Sequence, residues 1–308
     1  MEASGGRPAG GRPADDIVQP FQIEGPGLRG RLVRLGPAID TVLKRHDYAP
    51  PVAAMLAEAL ALAAALSAGL KYEGIFTLQV KGDGPLRMLV ADITSDGALR
   101  GYAEVAGDLP PEAEILAAPV PRLIGSGHLA FTVDQGEHTE RYQGIVELDG
   151  ASLAECVHHY FEQSEQFGAA MQLAAGRNEA GQWRAGAMML QRLPDREPIV
   201  VLEERDEAWR RAVILMSSVT GEELLDPALA PADLLFRLFH EDGVRVFGQQ
   251  ELAFGCRCSR ERAERILGSL PRSEIESLFV DGRVTVTCQF CNAEEAFDPD
   301  EIAALYET

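Results

Sequence analysis

Aromatic residues make up only 6% of the 308 residues, and basic side chains are outnumbered, 28 Lys and Arg against 48 Asp and Glu. The resulting net charge of −20 excludes a uniform phosphate-binding surface, so no nucleic-acid partner is expected. Five cysteines are too few and too unevenly placed for the disulfide framework of a secreted scaffold. Long uncharged apolar runs are missing too. The most hydrophobic stretch, 52–70, is mostly Ala and Leu but carries Glu58, which argues for a buried helix and against a membrane partner. Residues 1–15 read as a disordered tail of Gly, Ala, Pro and Arg without the apolar core of an export signal, so a cytoplasmic protein is expected. Thiols stay reduced there, and clustered cysteines then point to metal or redox chemistry.

What is present suffices for a packed core, with 46% hydrophobic and 25% charged residues. Residues 16–200 alternate β-rich and helical runs and read as one α+β core domain of sheet and helix. Strands are predicted at 75–80 and 86–90, joined as a hairpin by Lys81-Gly82-Asp83-Gly84, with a second pair at 128–133 and 142–148. Helices are predicted at 52–68, 111–117 and 153–166, the last behind Ser152 with Glu155 completing a capping box. The expected arrangement is a sheet covered by helices on one face. Residues 201–248 form a helical linker: Glu203-Glu204-Arg205-Asp206-Glu207 starts a charged helix carrying Trp209, Val213, Leu215 and Met216, and 233–240 supplies Leu234, Leu235, Leu238 and Phe239. Helices this short must lay their apolar sides on other parts of the protein.

The last domain, 249–308, holds four of the five cysteines and few large apolar residues, so it is marginal without help. Cys256-Arg257-Cys258 and Cys288-Gln289-Phe290-Cys291 form a C-x-C and a C-x-x-C pair, separated by twenty-nine residues. Four thiolates in two close pairs suit a tetrahedral ion at about 2.3 Å from each sulfur, with zinc ranked ahead of an iron–sulfur centre. Ser259 is predicted to cap a helix running through Leu267, and Val284-Thr285-Val286 to form a strand that delivers Cys288 into a tight turn. A structural Zn²⁺ contributes roughly 10–16 kcal/mol to such a module, whose folding would then depend on it. A closed structural site is one reading. The other is a switch, because both pair spacings also permit disulfides, and a sulfur in a disulfide cannot ligate metal. Arg257, Arg260 and Arg262 would favour thiolate at the first pair, a minor effect given Glu261 and Glu264 beside them.

With this pattern, the chain resembles the heat shock protein 33 family of redox-regulated bacterial chaperones, the 33 kDa chaperonins. Further matching segments are Leu70-Lys71-Tyr72-Glu73-Gly74, Gln79-Val80-Lys81-Gly82-Asp83-Gly84-Pro85, Arg100-Gly101-Tyr102, Tyr142-Gln143-Gly144-Ile145-Val146, Tyr160-Phe161-Glu162-Gln163-Ser164-Glu165-Gln166 and Leu190-Gln191-Arg192-Leu193-Pro194. Gly168-Ala169, Ala187 and Glu295 depart from the family pattern, and none is a cysteine. The resemblance implies an ATP-independent holdase, inactive while reduced and zinc-bound through Cys256, Cys258, Cys288 and Cys291. Oxidation would form Cys256–Cys258 and Cys288–Cys291 disulfides, release zinc and unfold the linker. It also implies unfolding client proteins as partners, a homodimer in the oxidised state, and no catalytic residue.

Two rivals differ in class. A zinc-ribbon nucleic-acid-binding protein would need a basic patch that the acidic 256–308 segment lacks, and a thiol-disulfide oxidoreductase would turn over substrate at Cys288 and Cys291. Cys156 reads as a small buried hydrophobe, and His158 and His159 as half-buried helical residues without triad or ligand spacing. Gly125-Ser126-Gly127 lacks the ending of a phosphate loop and reads as a strand-entry turn.

Overall fold

Apolar residues alternate through the first two strands, β1 (Ile17–Ile23) and β2 (Leu28–Leu35), which pair antiparallel. The computed structural model describes residues 15–24, 27–136, 142–164, 168–192 and 202–306. The tail at 1–14, the end of the 153–166 helix and the expected boundary near residue 200 lie outside them. Two proline-initiated helices follow, α1 (Pro37–Leu43) and α2 (Pro50–Ser67). The predicted hairpin is β3 (Ile75–Gly82) with β4 (Leu86–Thr94), after which come β5 (Ala98–Val105) and α3 (Glu112–Ala117). The second predicted pair is β6 (Gly127–Asp134) with β7 (Tyr142–Glu147). Helix α4 (Leu153–Ser164) starts on half of its predicted box: Ser152 Oγ accepts from Glu155 N at 3.3 Å, while the Glu155 carboxylate accepts from Ala151 N at 2.7 Å, one residue early.

Strands β8 (Ala169–Arg177) and β9 (Trp183–Arg192) lead to α5 (Leu202–Ser217), α6 (Gly221–Leu225) and α7 (Pro231–Phe239). Three short strands close this part: β10 (Val244–Val246), β11 (Gln250–Glu251) and β12 (Ala253–Phe254). The strands form two six-stranded sheets, one ordered β10-β1-β2-β9-β8 with β11 also on β1, the other β12-β5-β4-β3-β6-β7. The expectation of one sheet covered on a single face is thus corrected. Helix α2 lies between the two sheets and packs on β2, β8 and β9 of one and β3, β4 and β5 of the other. Local alternation identifies a strand without saying which sheet it joins, and here β2 pairs with β9, Leu28 opposite Arg192.

This sandwiched position explains the composition of α2, which is apolar all round. It is long and apolar enough to cross a membrane, yet 78% of that window is buried inside the fold. Leu56, Leu60 and Leu62 are fully buried, each contributing roughly 2 kcal/mol. Gly101 of β5 lets the helix come close, since a Cβ there would sit 2.9 Å from Leu60 Cδ1.

The outer face of the first sheet is apolar as well. Phe21, Ile23, Leu28, Leu32, Met188 and Leu190 pack in a second core against Ala212 and Met216 of α5, Leu224 of α6 and Leu234, Leu235, Leu238 and Phe239 of α7. The rings of Phe21 and Phe239 stack at 5.8 Å. The linker helices therefore cover an apolar sheet face.

The chain divides into two compact units, Met1–Phe254 and Gly255–Thr308. Residues 250–254, read from sequence as the start of the C-terminal domain, instead join the sheets of the first unit, because two-residue strands carry no periodic signal. The second unit holds α8 (Arg260–Gly268), α9 (Arg272–Glu276), the hairpin β13 (Val284–Thr287) with β14 (Glu294–Phe297), and α10 (Pro299–Ala304). Among the described residues its core has six buried members, Ala263, Leu267, Ile275, Val284, Phe297 and Ile302, with half-buried Leu270, Phe279, Val286, Leu305 and Tyr306 packed against them.

Candidate metal centre

Two short segments of the second unit present the thiols. Cys256 and Cys258 sit in the loop before α8, whose N-cap Ser259 accepts from Arg262 N at 3.3 Å. Cys288 follows β13. Its N–H donates to Ala293 O at 2.8 Å, and Asn292 N–H donates back to Cys288 O at 2.8 Å, so the chain reverses within the C-x-x-C segment. Asn292 takes φ of 57°, the left-handed conformation that Asn tolerates well, and Cys291 is thereby brought back beside Cys288.

The four Sγ atoms all lie within 4.8 Å of one another. Cys256 and Cys288 are 3.7 Å apart and Cys258 and Cys291 3.3 Å. A tetrahedron with sulfur about 2.3 Å from its centre has edges of about 3.8 Å, so this cluster could hold a metal ion with little rearrangement. Donor chemistry agrees, since four soft thiolates suit zinc better than Mg²⁺ or Ca²⁺. Cys291 is buried, Cys256 and Cys288 half-buried, and Cys258 exposed. An oxidant could reach the cluster from the Cys258 side.

Burial raises the Cys256 thiol, but hydrogen bonds from the Cys258 backbone and from the other three thiols outweigh it and bring it down to about 7. Cys258 is pushed up by burial and by the sulfurs around it, and Cys291 is pushed up chiefly by burial. One negative charge is easily placed among these sulfurs and further ones are opposed. A cation at the centre removes that opposition, which is the electrostatic reason such a cluster could hold a metal ion.

Arg260 plays another part than expected. Arg260 is engaged by three carboxylates, Glu301 at 2.5 Å, Glu295 at 3.3 Å and Glu264 at 3.5 Å, and lies over the Phe297 ring at 4.3 Å. Its charge is thereby largely spent on tying the start of α8 to β14 and α10, and Glu295, one of the departures from the family pattern, is a partner in that tie.

Residues set aside on sequence grounds belong to the first unit. Cys156 is buried in α4, with its thiol pushed up to about 11, first by burial and then by Glu155 and Asp149, which makes it a poor nucleophile. His158 Nδ1 lies 2.8 Å from Ala169 O, and His159 Nδ1 lies 2.7 Å from Asp149 O. Ser126 N donates to Asp83 Oδ1 at 2.8 Å, so the glycine pair around it packs against the β3–β4 turn as a strand entry.

Sequence reasoning missed two buried arginines under the linker. Arg34 of β2 donates to the carbonyls of Glu223 and Leu229, and Arg184 of β9 donates to Leu225 O at 2.5 Å while pairing with Asp15. The available signal was an arginine at an otherwise apolar strand position.

Fold and site together define a mixed α and β protein of two units, one with a covered apolar sheet face and the other with four thiols that could hold a metal ion. The family model described as Hsp33 protein matches residues 16–298. Proteins named 33 kDa chaperonin are similar to it: that of Caulobacter vibrioides is 40% identical over 291 residues, covering 92% of this chain and 95% of the relative. That of Ectopseudomonas mendocina is 40% identical over 298 residues, covering 95% of each. The crystal structure of the 33 kDa chaperonin of Thermotoga maritima superposes with a TM-score of 0.81 at 26% identity, covering 95% of this chain and 98% of that one. The chain belongs to the Hsp33 family.

Proposed function

We propose that this chaperone is a redox-regulated, ATP-independent holdase of the cytoplasm, and that Cys256, Cys258, Cys288 and Cys291 hold one Zn²⁺ in its reduced, inactive form. The gathering of four thiols within 4.8 Å in a unit with a small core carries this reading. A bound Zn²⁺ would supply the free energy that so small a core lacks.

Oxidation joins Cys256 to Cys258 and Cys288 to Cys291. Each pair gives two electrons to one peroxide, whose oxygens leave as two waters after taking up two protons, and the ion is left without ligands. Sulfurs from different pairs also lie within 3.3–3.7 Å, so peptide mapping of the oxidised protein decides the pairing. Cys256 lies two residues beyond β12, so unfolding of the second unit frees the chain next to strands that edge both sheets. Release of the linker helices then bares the apolar face of Phe21, Leu28, Leu32, Met188 and Leu190 to unfolding clients. The net charge of −20 keeps that open form soluble. The oxidised form is a homodimer, an expectation that rests on family likeness alone.

Reduced protein treated with peroxide at elevated temperature should release one zinc per chain, lose four thiols and suppress aggregation of a heat-denatured client in stoichiometric amounts. Chaperone activity unchanged by oxidation would overturn the switch, and multiple turnover of a small disulfide substrate would favour an oxidoreductase.

A further inference from the structure

Between the two sheets, at the C-terminal end of α2, lies a cavity of about 230 Å³ that the redox cycle does not use. Its wall is aromatic and aliphatic, formed by Leu66, Phe76, Phe131, Tyr160 and Phe161. The rings of Phe131 and Tyr160 are 5.3 Å apart and those of Tyr160 and Phe161 5.4 Å, giving a continuous apolar surface.

One cation faces this wall. Arg31 of β2 lines the cavity with Met189 and Gln191, and its guanidinium donates only to neutral groups, Met189 Sδ at 3.5 Å and Gln191 Oε1 at 3.3 Å. No carboxylate pairs with it among the described residues. Burial, with the charge of Arg29 adding to it, pushes Arg31 down to about 10. Its position is prepared by Gly69, where a Cβ would stand 2.3 Å from Arg31 Nη2, so that only glycine lets the guanidinium lie there. A half-buried guanidinium at the rim of an apolar cavity offers an anion supplied from outside two parallel charge-assisted hydrogen bonds.

We propose that this cavity binds a medium-chain aliphatic carboxylate, its carboxylate on Arg31 and its chain against Phe76, Phe131 and Phe161. The charge requires a single anionic group, and the flat fork of an arginine suits a carboxylate. Size sets the tail: at the ~30 Å³ that a water molecule occupies in the liquid, the cavity holds roughly eight non-hydrogen atoms. A six- to eight-carbon acid fills it, with the polar end at the edge.

Calorimetric titration of the reduced, zinc-loaded full chain with sodium octanoate tests the site, with octan-1-ol and octylamine as matched controls. One octanoate per chain should bind, at least tenfold tighter than either control. Arg31→Gln should lose that tenfold preference while keeping the weak octanol binding, and Gly69→Val, which displaces the guanidinium, should do the same. Val133→Trp, which fills the cavity, should weaken both ligands. Absence of octanoate binding, equal affinity for octanoate and octanol, or octanoate binding unaffected by Arg31→Gln would each overturn the proposal. A peptide with a free C-terminal leucine that displaces octanoate more strongly than octanoate binds, when its amidated form does not, would also overturn it by assigning the pocket to chain ends. If Arg31→Gln fails to fold, the comparison of octanoate with octanol on the unaltered chain still decides.

Discussion

Arg34 in β2 donates through Nη2 to the backbone carbonyl of Glu223 at 3.0 Å, tying the C-terminal end of β2 to α6, which packs over the same apolar sheet face. Arg34 is 1% exposed, and its Nε has no hydrogen-bond partner among the described residues, so the linker carbonyls are what makes its burial tolerable. Charged hydrogen bonds of this kind contribute roughly 1.5–3 kcal/mol. Arg34→Met should therefore loosen the linker without opening a large void. Amide exchange at Leu224, Leu225 and Leu229 should quicken, and the reduced protein should show partial client protection. Exchange rates equal to those of the unaltered chain would remove the latch.

Metal removal should act on one unit only. A strong chelator added to the reduced protein should abolish amide protection across 260–304 while the β3–β4 hairpin stays protected, because a structural zinc site contributes roughly 10–16 kcal/mol and the small core of that unit cannot replace it. Cys291→Ser, altering the most buried of the four thiols, should give the same pattern without chelator. Retained protection in both cases would mean that the unit folds on its apolar contacts.

Glu58 gives a pH signature of the core helix. Burial between the sheets pushes its carboxyl up to about 7 from an ordinary 4.5. The folded chain then holds a proton that the unfolded chain has lost, so the contribution is full below about pH 4.5 and disappears as pH rises through about 7. At ~1.4 kcal/mol per unit the limit is roughly 3 kcal/mol, lowered to about 2 by the water that reaches this half-buried side chain. Urea midpoints of the unaltered chain should fall between pH 5 and 7 more steeply than those of Glu58→Gln. Parallel profiles would show that Glu58 titrates normally.

Arg260→Ala should leave Glu264, Glu295 and Glu301 facing one another across the start of α8. The second unit should melt at lower temperature and release zinc to a colorimetric chelator sooner, with Arg260→Lys in between, since a lysine keeps the charge and loses the fork. Cysteine reactivity in the metal-free protein should change little, because hydrogen bonds from Cys258, Cys288 and Cys291 are the leading causes that lower Cys256. A large change in that reactivity would restore the arginine to a role in activating the thiol.

Much of this was legible in the chain itself. The β3–β4 hairpin, the Ser259 cap and the turn after β13 are local, each decided by side chains within a few residues of the bonds they make. The cysteine spacing was equally direct, because metal chemistry depends on which donors are near in sequence and two close pairs need only one loop closure to meet. The partition of strands between two sheets was not legible, and neither was the capture of residues 250–254 by the first unit, since pairings such as β2 with β9 join segments far apart in the chain.

The amino-acid sequence by itself determined that four thiols would share a small unit and that α2 would be buried, because donor spacing and all-round hydrophobicity are properties of a few neighbouring residues. Only the tertiary structure decided that α2 would be wrapped by two sheets, that Arg34 would hold the linker by its carbonyls, and that Arg31 would face an aromatic cavity. Each of these depends on segments brought together from far along the chain, where the physics lies in packing and desolvation and leaves no periodic mark on the sequence.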